Sequence, residues 1–430
     1  MTEKQLSTRV VHAGEKRVKP FHALTTPIAQ TSTYTFESTQ DLVDYMEAKL
    51  WGDEVEREEY GRYGNPTIAA AEAKLANLDG GEAACLFSSG MAAVTTTLLS
   101  LLSAGGHIIM TDDCYRRTRQ FVTKFLVRYG VEATQVPMGD YEALEAAIRP
   151  NTRIIVSESP TNPYLRVLDL EKLVAIANKH NLKTIVDSTF ATPINQRPLE
   201  FGVDFVVHSA TKYLGGHNDL LAGVVVGSDY MIGAIKDTQA MLGDVSDPHT
   251  AYLLLRGLKT LELRVSRQNE SADKIAHFLA KHPAVRRVYY PGLVSHADYE
   301  VALEQMSGYG GVVSFELETD LEGAGKFIDQ LQIPYIGPSL GGVETLIEQV
   351  ALVSYYELST EERAEIGISD SLIRLAVGVE SVDDLLADLA QALDKAFQIE
   401  TFFQTVNEEH ASAGSLNGKS RVMPAVIYRR

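Results

Sequence analysis

The chain has 430 residues, with 39 Lys and Arg against 57 Asp and Glu, a formal net charge of −18. That charge disfavours nucleic acid as a partner, while 45% hydrophobic and 22% charged residues exclude a disordered, collagen-like or coiled-coil chain. The longest apolar runs, such as Ala222–Gly227, fall far short of the ~20 residues needed to span a bilayer. Met1–Gln5 has no apolar leader character, so a cytoplasmic protein without a membrane partner is expected. Two cysteines, Cys85 and Cys114, without a Cys-x-x-Cys pair, exclude a disulfide framework and a structural zinc site.

The length exceeds the roughly 250–300 residues that one core supports and predicts two domains. Residues 1–65, broken by Pro20, Pro27, Gly61 and Gly64, read as an extended arm contributing to a neighbouring subunit. From 66 to 250, apolar runs at His107–Thr111, Arg153–Ser157, Thr184–Asp187, Asp204–His208 and Ala222–Gly227 alternate with helical stretches such as Tyr141–Ile148 and Leu170–Asn181. That alternation predicts an α/β domain with a mainly parallel sheet. A long helix over Ala251–Lys281 opens a smaller α+β domain, 251–398, with strands at Arg287–Tyr290, Gly311–Glu316 and Leu372–Val377 and helices at Leu321–Leu331 and Val382–Phe397. The tail, 399–430, has no sustained period and is expected to be poorly ordered or docked on a surface.

The most informative stretch is Val207-His-Ser-Ala-Thr-Lys-Tyr-Leu-Gly-Gly-His-Asn-Asp219. It places Lys212 at the carboxyl end of a strand, where doubly wound sheets bind ligands, with the hydroxyls of Ser209 and Thr211 beside it. Such an amine can form a Schiff base, although a surface lysine in a turn reads the same way. Asp187 ends an apolar strand 25 residues upstream. A carboxylate there can keep a pyridine nitrogen protonated, or can cap the following helix. Ser88-Ser-Gly-Met91 precedes a helical run, so Ser89, Gly90 and Met91 offer backbone N–H groups to a phosphate. His208, His217 and Asp219 are close in sequence, but no second ligand cluster accompanies them, so no metal is expected.

Together with Glu158-Ser-Pro-Thr-Asn-Pro163, Tyr60-Gly-Arg-Tyr-Gly-Asn-Pro66 and Ser339-Leu-Gly-Gly342, these segments resemble the transsulfuration, or cysteine/methionine-metabolism, family of pyridoxal-phosphate enzymes of fold type I (aspartate aminotransferase-like). Thr111-Asp-Asp-Cys-Tyr-Arg-Arg-Thr-Arg119 and Ser354-Tyr-Tyr-Glu-Leu-Ser359 are most similar to the plant-type cystathionine γ-synthases within it. The resemblance covers roughly residues 8–397.

It implies that Lys212 carries pyridoxal 5'-phosphate and shuttles protons, with Asp187 on the ring nitrogen. Ser89, Gly90, Met91, Ser209 and Thr211 would hold the phosphate, joined by Tyr60 and Arg62 of a neighbouring subunit. Tyr115 would stack over the ring and transfer protons. Arg374 would bind the substrate carboxylate, Asn162 would support that carboxylate or the ring hydroxyl, and Ser339 would also bind the substrate; a charged residue in the apolar run Leu372–Val377 needs a partner, which a structural salt bridge would also provide. Arg117 would face the γ-substituent, unless Arg116 and Arg117 pair with Asp112 and Asp113. The implied activity is γ-replacement on an activated homoserine by cysteine. The implied assembly is a homotetramer of dimers with shared sites acting on amino-acid substrates. The alternatives are γ-lyase action on cystathionine or methionine, and a catalytically silent binding protein of the same fold.

Overall fold

A computed structural model describes residues 4–52, 55 and 57–399; the expectation for the tail therefore lies outside the described residues, save for residue 399. The first sheet has seven strands: β1 (Ala83–Phe87), β2 (His107–Thr111), β3 (Glu132–Val136), β4 (Thr152–Glu158), β5 (Lys183–Asp187), β6 (Phe205–His208) and β7 (Gly223–Gly227), in the order β1-β7-β6-β5-β4-β2-β3. The β3-β2-β4-β5-β6 run is parallel, while β7 lies antiparallel to both β6 and β1. β2, β6 and β7 are buried at every position because helices cover both faces, which explains their unbroken apolar runs. The chain leaves β2 outward to β3 and returns on the other side to β4. The crevice at this reversal opens at the carboxyl ends of β2 and β4, where open α/β sheets bind ligands.

The second sheet contains β8 (Val285–Tyr289), β9 (Val312–Leu317), β10 (Tyr335–Ile336), β11 (Leu346–Gln349) and β12 (Leu372–Ala376), in the order β10-β11-β12-β9-β8. All its pairings except β10–β11 are antiparallel. One apolar core runs through both halves, joining Leu75 and Val224 to Val265, Phe315 and Ile373.

Two expectations need correction. The arm is not wholly extended: it holds α1 (Leu6–His12) and α2 (Thr39–Trp51), the latter capped by Ser38 Oγ, which accepts from the Asp41 N–H. The long helix splits into Pro248–Leu258 and Leu261–Leu279. The reason is at the junction, where the Gly257 carbonyl is taken by the Thr260 N–H (3.2 Å) and by Arg264 Nη2 (2.9 Å) instead of continuing the helical ladder. Among the described residues no helix is long and apolar enough to cross a membrane.

Candidate active site

Three further helices position the site: α3 (Pro66–Asp79), α4 (Gly90–Leu101) and α5 (Arg116–Gln120). Lys212 sits in the turn after β6, with its N–H on the Ser209 carbonyl (3.0 Å). Its Nζ donates to Ser339 Oγ at 2.7 Å. Burial, and then the nearby Arg374 charge, lower its pKa to about 8, so a nucleophilic neutral amine is accessible near neutral pH.

Ser339 binds twice, because its carbonyl accepts from Arg374 Nη2 at 3.0 Å. Arg374 Nη1 donates to Asn162 Oδ1 at 3.1 Å, and Nη2 also meets Glu348 Oε1 at 3.1 Å across the β11–β12 pair. The structural ion pair that the sequence left open for Arg374 is present. Its Nε has no partner, which leaves donor capacity for an incoming carboxylate. Burial pushes the Glu348 carboxyl up, against the pull of Arg374 and Lys212.

Asp187 closes β5. Its Oδ1 accepts from the Thr189 N–H (3.0 Å) and hydroxyl (2.5 Å). Burial raises its pKa, while the Thr189 bonds and the His208 charge favour the anion. His208 itself is fully buried against Asp79, with Nε2 3.1 Å from both carboxylate oxygens. Burial opposes its protonation, yet Asp79 carries the net shift upward. This pairing accounts for His208 without a metal; His217 Nδ1 lies 2.9 Å from the Gly215 carbonyl, and no cluster suited to a metal occurs among the described residues.

Glu158, in register with Asp187 on the neighbouring strand, was not marked by the sequence reading as a site residue. Its Oε2 accepts the Tyr115 N–H at 2.7 Å, which fixes Tyr115 where α5 begins. Burial, and then the Asp187 charge, push the Glu158 carboxyl well up.

At the start of α4, Ser89 Oγ accepts from the Ala92 N–H (3.1 Å) and caps the helix. A Cβ on Gly90 would stand 2.9 Å from Ser209 Cβ, and one on Gly223 would stand 2.1 Å from the Ser89 carbonyl oxygen. Only glycine lets these backbones approach, bringing the α4 N-terminus, Met91 and Ser209 together as an anion cradle. Thr211 Oγ1 is engaged on both sides by Ala222, donating to its carbonyl (3.2 Å) and accepting from its N–H (3.0 Å). A lysine amine, a carboxylate and a phosphate cradle around one cleft fit pyridoxal 5'-phosphate.

Tyr60 and Arg62 are not joined to this cluster by any described hydrogen bond. Arg62 Nη1 donates to the Ala240 carbonyl, and its guanidinium stacks 4.8 Å from the Tyr63 ring. Arg116 and Arg117 do not pair with Asp112 and Asp113. Arg116 binds Glu357 at 2.8 Å and the Ser354 carbonyl, whereas Arg117 is exposed and donates to Gln120 Oε1 at 2.9 Å.

The model of the family described as Cys/Met metabolism PLP-dependent enzymes matches residues 7–394. Cystathionine gamma-synthase 1, chloroplastic, of Arabidopsis thaliana is 47% identical over 387 residues, which cover 89% of this chain and 68% of the relative. L-methionine gamma-lyase of Pseudomonas putida is 43% identical over 389 residues, covering 90% of this chain and 96% of the lyase. The crystal structure of metB from Corynebacterium glutamicum superposes with a TM-score of 0.84 at 36% identity, covering 91% of this chain and 98% of that one. A family match over nearly the whole chain, on a fold that assembles the amine, carboxylate and phosphate cradle this cofactor requires, places the protein among the Cys/Met metabolism PLP-dependent enzymes.

Proposed function

We propose that this enzyme catalyses γ-replacement, in which cysteine thiolate displaces the γ-substituent of an O-phospho- or O-acylhomoserine to give cystathionine and the released anion. The feature that supports this reading is the charge pattern next to Tyr115 and Ser339 in the chain. Arg117 is exposed, bonded to the neutral Gln120 and two residues from Tyr115, while Pro338 precedes Ser339. A cation two residues after Tyr115, with Pro338 rather than a carboxylate preceding Ser339, suits an anionic γ-substituent, and the 47% identity to a plant cystathionine gamma-synthase points the same way.

The residues divide the work. Arg374, supported by Asn162 and Glu348, orients the substrate through its α-carboxylate. Lys212 Nζ, its pKa lowered to about 8 by burial and hydrogen-bonded to Ser339, takes the α-proton and returns it. Asp187, backed by Thr189 and His208, holds a proton on the ring nitrogen. Tyr115, anchored through its N–H by Glu158, covers the ring and exchanges protons with the substrate. The cofactor supplies the electron sink for carbanion chemistry, and the enclosed strand ends exclude water.

Tyr60 and Arg62 complete the phosphate site from a neighbouring subunit, in a homotetramer of dimers. Phe21 at 92% and Leu24 at 90% exposure in the arm suit burial against a second copy. Cys85 and Cys114, both buried free thiols, suit the reducing cytoplasm. A second reading, γ-elimination, shares Lys212, Asp187 and Arg374 and is favoured by the identity to L-methionine gamma-lyase.

Product identification separates the two. Cysteine with a panel of O-phospho- and O-acylhomoserines should yield cystathionine as the main product. Rapid breakdown of cystathionine or methionine to a 2-oxo acid, without net synthesis, would establish elimination instead.

A further inference from the structure

A cavity of about 710 Å³ opens beside the Lys212 site, between the β2–β3 edge of the first sheet and β8 of the second. Most of its polar lining is satisfied internally. Arg166 holds Asp298 through Nε (2.6 Å) and Nη2 (3.0 Å). His296 Nδ1 accepts the Asp298 N–H (3.2 Å), and its Nε2 faces the Tyr164 carbonyl (3.4 Å). Tyr164 donates its hydroxyl to the Gly367 carbonyl.

Two side-chain atoms of the lining are buried without a hydrogen-bond partner, and they belong to groups of opposite charge. Asp113 Oδ1 is buried without a partner. Arg119 gives Nη1 to the Asp112 carbonyl (2.8 Å) and Nη2 to the Tyr355 hydroxyl (3.4 Å), but its Nε is also buried without a partner. Both line this cavity, yet they form no ion pair with each other. The Asp113 carboxylate has Thr161 as a hydrogen-bond partner, but its buried Oδ1 and the Arg119 Nε–H lack one, and each forfeits solvation that a ligand can restore. Burial pushes the Asp113 carboxyl up to about 6, so it is ionised at pH 7.5. An aromatic wall completes the cavity, formed by Tyr164 and Tyr289 packed edge to face with centroids 4.8 Å apart, with the Arg287 guanidinium 4.8 Å from the Tyr289 ring.

We infer that this interdomain cavity is a second ligand site for a zwitterionic α-amino acid. Its ammonium lies at Asp113, its carboxylate at Arg119, and an apolar side chain against the Tyr164–Tyr289 wall. The site is linked to the Lys212 cleft by covalent neighbours. Asn162, Pro163 and Tyr164 line the cavity, and Asn162 Oδ1 holds Arg374 Nη1 at 3.1 Å. A ligand seated on this turn therefore biases the group that orients the substrate carboxylate, which makes it an effector of substrate affinity. The inference stands whether the enzyme replaces or eliminates the γ-group.

The test is equilibrium dialysis of holoenzyme at pH 7.5 with radiolabelled N-methyl-L-methionine, whose charges are those of an amino acid but whose secondary amine cannot condense to a neutral imine. Wild type should bind two equivalents per chain. Asp113→Asn and Arg119→Gln should each weaken one of them at least tenfold, while Arg374→Ala should retain that same equivalent. The probe should also raise the substrate KM in wild type more than in Asp113→Asn at equal active-site occupancy. A single equivalent per wild-type chain, displaced by substrate, would overturn the inference. So would a second equivalent indifferent to both Asp113→Asn and Arg119→Gln, a comparison that needs no Arg374 variant.

Discussion

Replacing Arg374 by alanine separates its two duties. The guanidinium uses Nη1 on Asn162 and Nη2 on Ser339 and Glu348, and keeps Nε for a ligand. One charge-assisted bond from Nε to a substrate carboxylate contributes about 1.5–3 kcal/mol, so kcat/KM should fall at least roughly 10- to 10²-fold. The same change strips Glu348 of its partner inside the protein, where loss of one member of a buried pair costs about 3–5 kcal/mol. The Glu348 pKa is already raised by burial, and removing Arg374 raises it further. A carboxyl whose folded pKa exceeds its unfolded value binds more protons when folded, so its contribution is fully present below about 4.5 and is lost as pH rises through the folded pKa. The melting-temperature deficit of Arg374→Ala should therefore shrink between pH 8 and pH 5. Adding Glu348→Gln should recover most of the stability at pH 8 without restoring activity. Steady-state kinetics and scanning calorimetry on the single and double variants measure both effects. A loss in kcat/KM below tenfold, or a stability deficit that Glu348→Gln leaves unchanged at pH 8, would refute this account of Arg374.

Asp79→Asn should destabilise the protein more at pH 6 than at pH 9. The raised His208 pKa gives stability that is complete below about 6.5 and lost as pH rises through the folded value, and thermal melts across that range check it. Hybrids of Arg62→Ala and Lys212→Ala subunits should regain activity that neither homo-oligomer has, by forming one intact shared site; verified hybrids without activity would count against sharing. Arg117→Ala should lower kcat/KM for O-phosphohomoserine roughly ten- to a hundredfold and for O-acetylhomoserine much less, as paired kinetics would show. Equal losses would remove Arg117 from γ-substituent recognition.

What the sequence revealed follows from what is local. β2 was legible to the residue because His107-Ile-Ile-Met-Thr111 is buried throughout and reads as one apolar run. β3 was not, because it is the sheet edge: Glu132 and Gln135 face outward and only Val136 is buried. The break between the helices Pro248–Leu258 and Leu261–Leu279 carries no proline, since it arises from the claim of Arg264 on the Gly257 carbonyl, a contact between segments that periodicity does not report. The same distinction runs through the site. Lys212 and Asp187 end strands and carry the charge their chemistry requires, so position alone marks them. Glu158 and Glu348 matter through cross-strand register with Asp187 and Arg374, and a carboxylate at a strand end does not disclose its neighbour. Asp79, the partner of His208, lies 129 positions away at the end of α3, where its sequence context signals only a helix terminus.

The central claim is that Lys212 carries the cofactor in a cleft built by Asp187, Ser339 and Arg374. Borohydride reduction of the holoenzyme, which fixes the cofactor carbonyl to whichever amine holds it, followed by peptide mapping, tests this most directly. The label should fall on Lys212 alone, and the Lys212→Ala protein should take up none. A label on any other lysine, or equal labelling of the Lys212→Ala protein, would contradict the account.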